Sequence, residues 1–537
     1  MRHVDFNLLV YYIIGISCII IISFVTFHIS ARRNLKLPRW SIYGLIGASV
    51  YMIFAQLLKY YSLHFYTDFS QYAQVIHSIS TIGKPICVAS EVYRPGTLNF
   101  FSLHFSPLVY LISAVYKILP YNETIMGLNF LLMISSVIPL YKLAVSCHQD
   151  KRFALFIVVV LLWYPTFQYT VLYEFEMLKF SIPIILWMLY FWQKKNMTSY
   201  YLFALLAVLV REDVGLTIMM FGFYIFFFEK QRKKTGAITA LIGMVAFIVI
   251  LLFIMPSFMG PGFSENDTMK IYYSAFGETN VEVIKNIILN PILAISIMVH
   301  KIKVANVFMM FLPLLFIPFL APAVLLGSLA QFGIVLLSST LTNSSYMLHY
   351  VSPTIPFIFF AFIKGWTRLL KLLKYFANKK NRVNNLNSAA MTTVLSGILI
   401  ANVFFGPSPM SLQFWSKELR PAPFRTQNFH YSVYKVTDHH RKAAEFCRMI
   451  PDTSIVAAHD FLQPRLSDKR GAIFLHEHSK NHRFLAEYVF FDKTNNHLNP
   501  ISPAYKTQEV FQVFEKDKET WELIKSEDGF FLYRRKR

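Results

Sequence analysis

LLVYYIIGISCIIIISFVTFHI, residues 8–29, followed by ARRNLKLPR, residues 31–39, decides the class of this protein. The first segment contains no Asp, Glu, Lys or Arg, and about 20 predominantly apolar residues are enough to cross the hydrocarbon core of a bilayer. It has no small-residue cleavage site, so we interpret it as a retained membrane anchor and not as a removed signal peptide. The basic residues after it predict that the chain reaches the cytoplasmic side there.

The composition of the whole chain agrees with a membrane protein. Of its 537 residues, 55% are hydrophobic and only 15% are charged, whereas about 25% of a soluble domain is charged. The net charge of +22 would suggest a nucleic-acid partner if the basic residues were gathered on a water-facing domain. Here they separate apolar segments, so we predict no nucleic-acid partner and interpret the charge as a topological signal.

Basic loops that face the cytoplasm set the predicted topology. With all basic connectors inside, the chain is an α-helical polytopic protein of the plasma (inner) membrane with about twelve spans, and its N-terminus and C-terminal region lie outside. The predicted spans are 8–29, 41–61, 123–146, 153–171, 176–192, 199–210, 214–228, 237–256, 303–320, 322–339, 346–363 and 388–405.

Three further apolar segments are predicted not to cross. FSPLVYLISAVYKIL, residues 105–119, is short and would invert the later loops, so we expect a helix in the outer interface. Residues 284–300 are interrupted by Pro291. KGWTRLLKLLKYFANKK, residues 364–380, has the pattern of a basic amphipathic helix lying on anionic lipid.

After Gly406 the chain becomes polar, and short apolar runs alternate with turn residues. SIVAAH, AIFLH, AEYVFF and GFFLYRR predict strands, and DHHRKAAEFCRMI and TWELIK predict helices. We therefore expect a small α/β domain outside the membrane. The predicted divisions are an extra N-terminal anchor with a cytoplasmic basic loop (1–40), a membrane domain (41–405) whose first outer loop is 62–122, and the extracytoplasmic α/β domain (406–537).

Ionisable and aromatic polar residues gather on the predicted outer side. Each has an ordinary interpretation as a solvated or interfacial side chain, but their convergence on one side favours a functional site, because charged groups beside spans are costly. These residues are Asp68, His104, Glu174, Glu176, Arg211, Glu212, Asp213, His349 and Tyr350.

This combination suits transfer to a hydroxyl from a donor carried on a lipid phosphate. A carboxylate can take the proton of an acceptor hydroxyl as general base, and cationic groups can stabilise a departing phosphate. Arg94 and Lys179 are further phosphate candidates, although Lys179 could equally extend to the interface.

The order of several motifs resembles a known family. These motifs are the acid-to-glutamine segment YTDFSQYAQ, SLHFSPLVYLISAVYKILP before a span ending IPLYKLA, YEFE before PIILWMLYFW, VREDVG, and a late HYVSP. Together they resemble the membrane proteins grouped as domain of unknown function 2079, which are placed in the GT-C clan of polytopic glycosyltransferases. The resemblance covers roughly residues 40–500.

The resemblance implies a GT-C-like architecture and a sugar donor linked to polyprenyl phosphate. Asp68 occupies the position of the essential acid in the first outer loop, so we expect it to be the catalytic base. His104, Arg211 and His349 are expected to bind the lipid phosphate, and Glu176 and Asp213 to orient the acceptor or a metal. The remaining expected substrate-binding residues are Gln74, Arg94, Glu174, Glu212 and Tyr350.

Two departures from the family pattern affect these expectations. Ala73 stands where relatives often have a second acid before the glutamine. A divalent metal ion bound in this loop would therefore lack one of its two expected carboxylate ligands. His476, His478 and His482 could bind metal, but histidines are spread over the C-terminal domain.

The second departure is the span at 8–29, an addition that places the N-terminus outside.

Two other functions remain open. A transporter or lipid flippase would do no covalent chemistry, although such proteins usually contain internal repeats and we find no convincing repeat. A membrane scaffold would only present the C-terminal domain to a partner. For the transferase, the expected partners are the lipid-linked sugar, membrane lipids and a glycan, lipid or protein acceptor.

Overall fold

The computed structural model of the chain describes most of its length. The described residues are 6–32, 40–89, 98–259, 272–376, 386–416, 418–419, 429–475, 486–494, 512 and 514–536. Arg94, predicted to bind the donor phosphate, lies outside them, as do the candidate metal ligands His476, His478 and His482.

Helices dominate the described part up to residue 405, and the following α-helices of eight or more residues include one that precedes the C-terminal sheet. They are α1 (Phe6–Arg32), α2 (Trp40–Tyr61), α3 (Thr67–Ile82), α4 (Val109–Ile118), α5 (Asn122–Ile134), α6 (Val137–His148), α7 (Lys151–Trp163), α8 (Pro165–Leu172), α9 (Ser181–Gln193), α10 (Met197–Val208), α11 (Val214–Phe228), α12 (Lys233–Val249), α13 (Asn280–Leu289), α14 (Pro291–Met298), α15 (Lys301–Phe311), α16 (Leu326–Leu337), α17 (Ile355–Phe376), α18 (Leu386–Phe405) and α19 (Asp438–Met449).

Five helical segments in the described part are long and apolar enough to cross a membrane, and two bent helix pairs raise the number to seven. The five are Val10–Ala31, Asn122–His148, Lys230–Ser257, Leu341–Phe376 and Leu386–Phe405. Several predicted spans coincide instead with apolar helices of 10–17 residues: Met177–Gln193, Met197–Val208, Val214–Phe228 and Pro322–Leu337. Helix length alone therefore supports fewer than the twelve predicted spans, because these helices are shorter than the hydrocarbon core requires.

Prolines divide two of the apolar segments. The pair α7 and α8, predicted as one continuous span, bends by 56° where Tyr164 adopts an extended conformation before Pro165. The pair α13 and α14 bends by 93° at Pro291, as the sequence predicts. In both cases the proline begins the second helix, because its ring disfavours helical geometry in the residue before it.

The described part of the predicted surface helix, residues 364–376, belongs to a longer helix, and residues 377–380 lie outside the described part. α17 runs without a break from Ile355 to Phe376, and the indole of Trp366 is buried and donates to Asn387 Oδ1 at 2.9 Å. No proline separates the apolar and basic halves of this segment, so one helix extends through both. Trp366 therefore packs inside the helix bundle instead of on lipid.

The N-terminal helix is an integral part of the bundle. α1 packs along α18, and a Cβ on Gly15 would lie 2.5 Å from the tip of the Phe405 ring, so a larger residue would force that ring to move. The Tyr11 hydroxyl donates to the carbonyl of Phe404. The added helix is thus held by specific contacts to the last helix of the predicted membrane domain.

The described part of the C-terminal region contains a five-stranded mixed sheet with α19 against one face. Its strands are β1 (Ile455–Ala458), β2 (Gly471–Phe474), β3 (Tyr488–Asp492), β4 (Trp521–Glu527) and β5 (Phe530–Arg535). The order is β2-β1-β3-β5-β4, with β1 parallel to β2 and β3, and β5 antiparallel to β3 and β4. Phe446 of α19 stacks on Phe490 at 5.6 Å between ring centroids.

The predicted helix at TWELIK is wrong, because these residues form β4. Asp528 and Gly529 both have positive φ, at 51° and 81°, which is the geometry of the two-residue turn that joins twisted strands in a hairpin. β5 supplies backbone hydrogen bonds to one side of 521–527. The Asp-Gly pair was the local signal for a hairpin.

Candidate active site

Asp68 lies on the first turn of α3, directly after the connection from α2. Its Oδ2 accepts a hydrogen bond of 2.6 Å from the Tyr173 hydroxyl, and the residue is half-buried. A carboxylate is favoured at a helix N-terminus because the unpaired N–H groups there carry partial positive charge. Asp68 is therefore both oriented and accessible.

Glu174 lies beside Asp68 but is buried. Its Oε2 accepts a hydrogen bond from the backbone N–H of Phe69 at 3.2 Å. Burial raises the pKa of Glu174 to about 8, and the negative charge of Asp68 contributes in the same direction. At neutral pH Glu174 therefore holds a proton. Glu174 therefore adds a proton-binding group next to the Asp68 helix turn, and general acid–base chemistry uses such groups.

The second acid of the site thus comes from a different segment than the family pattern suggests. Ala73 is fully buried in α3, and at about 100° per residue it lies about 140° around the helix from Asp68. A carboxylate at this position would not share the face of Asp68. Glu174, from the turn between α8 and α9, supplies the neighbouring acid instead.

Arg211 joins two of the other predicted residues in a buried ion-pair cluster. Its Nη1 donates to Glu176 Oε1 at 3.0 Å, and its Nε and Nη2 donate to the two carboxylate oxygens of Asp213 at 2.9 and 2.6 Å. Burial alone would raise the pKa of Asp213, but the charge and the hydrogen bonds of Arg211, together with the smaller influence of His104, lower it. The cluster ties the turn at Glu174–Glu176 to the tip between α10 and α11.

Within the described residues, Glu212 forms no ion pair with Arg211 but binds His104 and the backbone beside it. Its Oε1 lies 2.9 Å from His104 Nδ1, and its Oε2 accepts from the backbone N–H of Phe105 at 2.9 Å. The histidine side chain is 32% exposed, so its Nε2 is the nitrogen that can meet a ligand. This pair orients a partly accessible imidazole.

His349 and Tyr350 complete the described site on the side of Tyr173. The ring of His349 lies 4.6 Å from that of Tyr173 and 4.1 Å from that of Tyr350, measured between centroids. His349 is buried, and its Nδ1 has no hydrogen-bond partner within the described residues. Tyr350 is hydrogen-bonded through its side chain to Tyr272.

Two side chains predicted to bind phosphate or substrate, Lys179 and Gln74, bind backbone groups of the protein instead. The buried Lys179 donates to the carbonyls of Tyr173 and Glu174 at 3.1 and 2.8 Å, so it supports the acidic turn. Gln74 donates to the carbonyl of Ala472 in β2 at 3.0 Å, and its Oε1 accepts from the N–H of the same residue at 3.4 Å. Both side chains hold protein backbone.

The site contains three tyrosines that the sequence analysis missed. Tyr173 donates to Asp68, Tyr72 donates to Glu176 Oε1 at 3.2 Å, and Tyr272 bonds to Tyr350. Tyr173 precedes Glu174 in the acidic turn, which was the only local signal. No group of three or more His, Cys, Asp or Glu able to hold a metal occurs among the described residues.

The family model for predicted membrane proteins of domain of unknown function 2079 matches residues 59–532. The chain belongs to this family. No curated protein matches this family member significantly. Among solved structures, it is similar to apo ArnT from Cupriavidus metallidurans, with 10% sequence identity, a TM-score of 0.44, and coverage of 92% of this chain and 98% of ArnT. A similarity at this level carries no argument about activity.

The proton on Glu174 gives the first testable prediction. Because its pKa is about 8 in the folded protein and about 4.3 in an unfolded chain, the folded state binds this proton more tightly. The stability it contributes is present below pH 4 and is lost as the pH rises through about 8. In Glu174→Gln this loss disappears.

The measurement is the thermal unfolding midpoint in lipid nanodiscs at pH 5 to 9. The wild-type midpoint is expected to fall more steeply with pH than that of Glu174→Gln. Glu123→Gln, which removes a partly exposed carboxylate bound to Tyr61, serves as the control and should follow the wild type. Parallel curves for wild type and Glu174→Gln would contradict a buried proton at Glu174.

Proposed function

We propose that this protein is a GT-C-type membrane glycosyltransferase that moves a sugar from a polyprenyl-phosphate donor to a hydroxyl of an acceptor at the outer face of the plasma membrane. The observation that carries the proposal is the position of Asp68, a half-buried acid on the first turn of α3 that is oriented by the Tyr173 hydroxyl and lies next to the buried Glu174. The motifs that resemble GT-C transferases support the same reaction class.

In the proposed reaction Asp68 accepts the proton of the acceptor hydroxyl. The hydroxyl oxygen forms a bond to the anomeric carbon, and the bond from that carbon to the phosphate oxygen breaks, with its electron pair leaving on polyprenyl phosphate. Attack from the side opposite the phosphate inverts the anomeric centre. The hydrogen bond from Tyr173 orients Asp68 for this transfer.

His104 and His349 are proposed to contact the departing phosphate. His104 is oriented by Glu212 and partly exposed, and His349 has an unpaired Nδ1 within the described residues. Arg211 already donates to Glu176 and Asp213, so we assign it to holding the site together. The substrate-binding roles of Arg94 and Tyr350 remain part of the proposal.

The orientation in the membrane belongs to the same proposal. We propose about twelve crossings, an N-terminal anchor and basic loop at 1–40, a membrane domain at 41–405 with its first outer loop at 62–122, and an extracytoplasmic domain at 406–537. The basic loops between spans support this arrangement. The acceptor is a glycan, lipid or protein hydroxyl. A divalent ion, if one is used, would be bound by the donor phosphate together with the neighbouring acids Asp68 and Glu174.

Purified protein in proteoliposomes with radiolabelled polyprenyl-phosphate hexose and a membrane extract tests the function. Transfer predicts release of polyprenyl phosphate together with label in a new covalent product. Label that crosses the bilayer while the donor stays intact would favour the flippase and contradict the transferase. Absence of both with a range of donors and extracts would favour the scaffold.

The pairing of Glu212 with His104 yields a second prediction. In Glu212→Gln the carboxylate that orients the imidazole of His104 is replaced by an amide of nearly the same shape. We expect kcat/KM for transfer to fall by about tenfold, an effect in the lower range of positioned acid–base groups. Steady-state kinetics with Glu123→Gln as the control measures this. Unchanged kcat/KM would remove His104 from the phosphate site.

A further inference from the structure

The helix that carries Asp68 is held from two sides. On one side, Glu174 accepts hydrogen bonds from the backbone of Tyr66 and Phe69, which flank Asp68. On the other side, α3 lies against the C-terminal sheet, and its residues from Phe69 to Ile76 are buried. The position of Asp68 therefore depends on contacts outside the acidic cluster.

Gln74 makes the most specific of these contacts. β2 is an edge strand of the sheet, and edge strands leave backbone N–H and C=O groups unpaired unless another element covers them. The Gln74 amide pairs with both groups of Ala472, in the manner of a neighbouring strand. Gln74 lies six residues after Asp68, about 9 Å along the helix axis, so this contact fixes the helix that carries the acid.

The connection before α3 is also held by the C-terminal domain. Leu63 and Tyr66 are buried in one apolar cluster with Phe446 of α19 and Ala458 of β1. Leu63 has a φ of 61°, a left-handed conformation that is unfavourable for a non-glycine residue. Burial of its side chain in the cluster maintains this conformation. The chain thus enters α3 from a point defined by the C-terminal domain.

We propose that the C-terminal domain positions Asp68 by holding α3 in two ways: through the hydrogen bonds of Gln74, and through the apolar cluster that buries Leu63 and Tyr66. Gln74 is thus a positioning residue of the active site. This role differs from acceptor selection, since it acts through the helix and requires no contact between the domain and a substrate. The consequence for turnover rests on the proposed transferase function, whereas the effect on α3 does not.

The first experiment compares two leucine substitutions on the same helix. Gln74→Leu leaves both groups of Ala472 unpaired, and Gln71→Leu replaces a buried glutamine whose Nε2 has no partner within the described residues. Hydrogen–deuterium exchange of the full-length protein in nanodiscs should show amides at the start of α3 exchanging about tenfold faster in Gln74→Leu, because local opening becomes easier. Gln71→Leu should exchange like the wild type.

The second experiment measures transfer kinetics of the same variants. A displacement of about 1 Å at a catalytic group can reduce the rate by up to about 100-fold, so kcat of Gln74→Leu should fall by about tenfold to 100-fold while KM changes less than about twofold. The activity of Gln74→Glu relative to the wild type at the same pH should rise as the pH falls, because only its protonated carboxyl can donate to the Ala472 carbonyl.

The outcomes separate the inference from the proposed function. Unchanged α3 exchange in Gln74→Leu overturns the positioning role whatever the kinetics. Faster exchange in a protein whose wild type transfers no sugar supports the positioning of α3 and counts against the transferase. Equal acceleration of α3 exchange in Gln71→Leu also overturns the positioning role. If Gln74→Leu unfolds globally, Gln74→Glu decides instead: α3 exchange equal to that of the wild type at every pH overturns the positioning role.

Discussion

Asp68→Asn is expected to lower the rate of sugar transfer by about 10²- to 10⁴-fold, the contribution of a positioned general base. The asparagine side chain has nearly the same shape as the aspartate, and its amide oxygen can still accept the hydrogen bond from Tyr173. The substitution therefore removes the proton acceptor while it preserves the local structure. The measurement is the single-turnover rate of polyprenyl-phosphate release with saturating donor.

Two controls make this result specific to the chemistry. Asp438→Asn changes an exposed aspartate in an ion pair with Arg441 and should leave the rate unchanged. Donor binding to Asp68→Asn should stay within a few-fold of the wild type, because the carboxylate acts on the acceptor and not on the phosphate. A transfer rate in Asp68→Asn within about threefold of the wild type would exclude Asp68 as the base, given the size expected for such a group.

Arg211→Met is expected to cause the largest loss of stability. The arginine is buried between Glu176 and Asp213, and removing it leaves two carboxylates without their counter-charge in a poorly solvated position. Breaking a buried ion pair in this way typically costs about 3–5 kcal/mol. The free energy of unfolding in mixed micelles, compared with the wild type, measures the loss.

Matched variants distinguish this effect from the loss of a large side chain. Arg441→Met removes an arginine from an exposed ion pair with Asp438 and should change stability by less than about 1 kcal/mol. The triple substitution Arg211→Met with Glu176→Gln and Asp213→Asn should recover part of the stability, because it removes the uncompensated charges. If Arg211→Met and Arg441→Met have equal effects, the cluster does not support the fold.

Some features of the site follow from local sequence and others do not. The polar residues in VREDVG and YEFE were predicted to meet, and the structure places Arg211 on Glu176 and Asp213. Their pairing was not predicted, because alternating charges in a turn are compatible with several partners. The role of Lys179 was also ambiguous, since a lysine near a span can reach phosphate, solvent or backbone carbonyls.

The pairing of Asp68 with Glu174 could not be obtained from the sequence. The two residues are separated by more than one hundred positions, and the local family pattern directed attention to position 73, which lies on another face of α3. Likewise, TWELIK has adequate helix-forming residues, but its backbone pairs with β5 across the Asp528–Gly529 turn. For Asp68 the decisive contact comes from a distant segment, whereas for TWELIK the neighbouring strand of a hairpin outweighs the helix preference of the residues.

The sequence by itself determined the membrane class of the protein, the break at Pro291 and most strands of the C-terminal sheet, but not the break at Pro165. These features depend on length, hydropathy and backbone restrictions that act within a few residues. Only the tertiary structure decided which acid neighbours Asp68, which carboxylates neutralise Arg211 and what Gln74 binds. Those outcomes depend on burial and on partners brought together by folding, because the proton affinity of a carboxyl group and the bonding of an amide are set by the atoms around them and not by their neighbours in the chain.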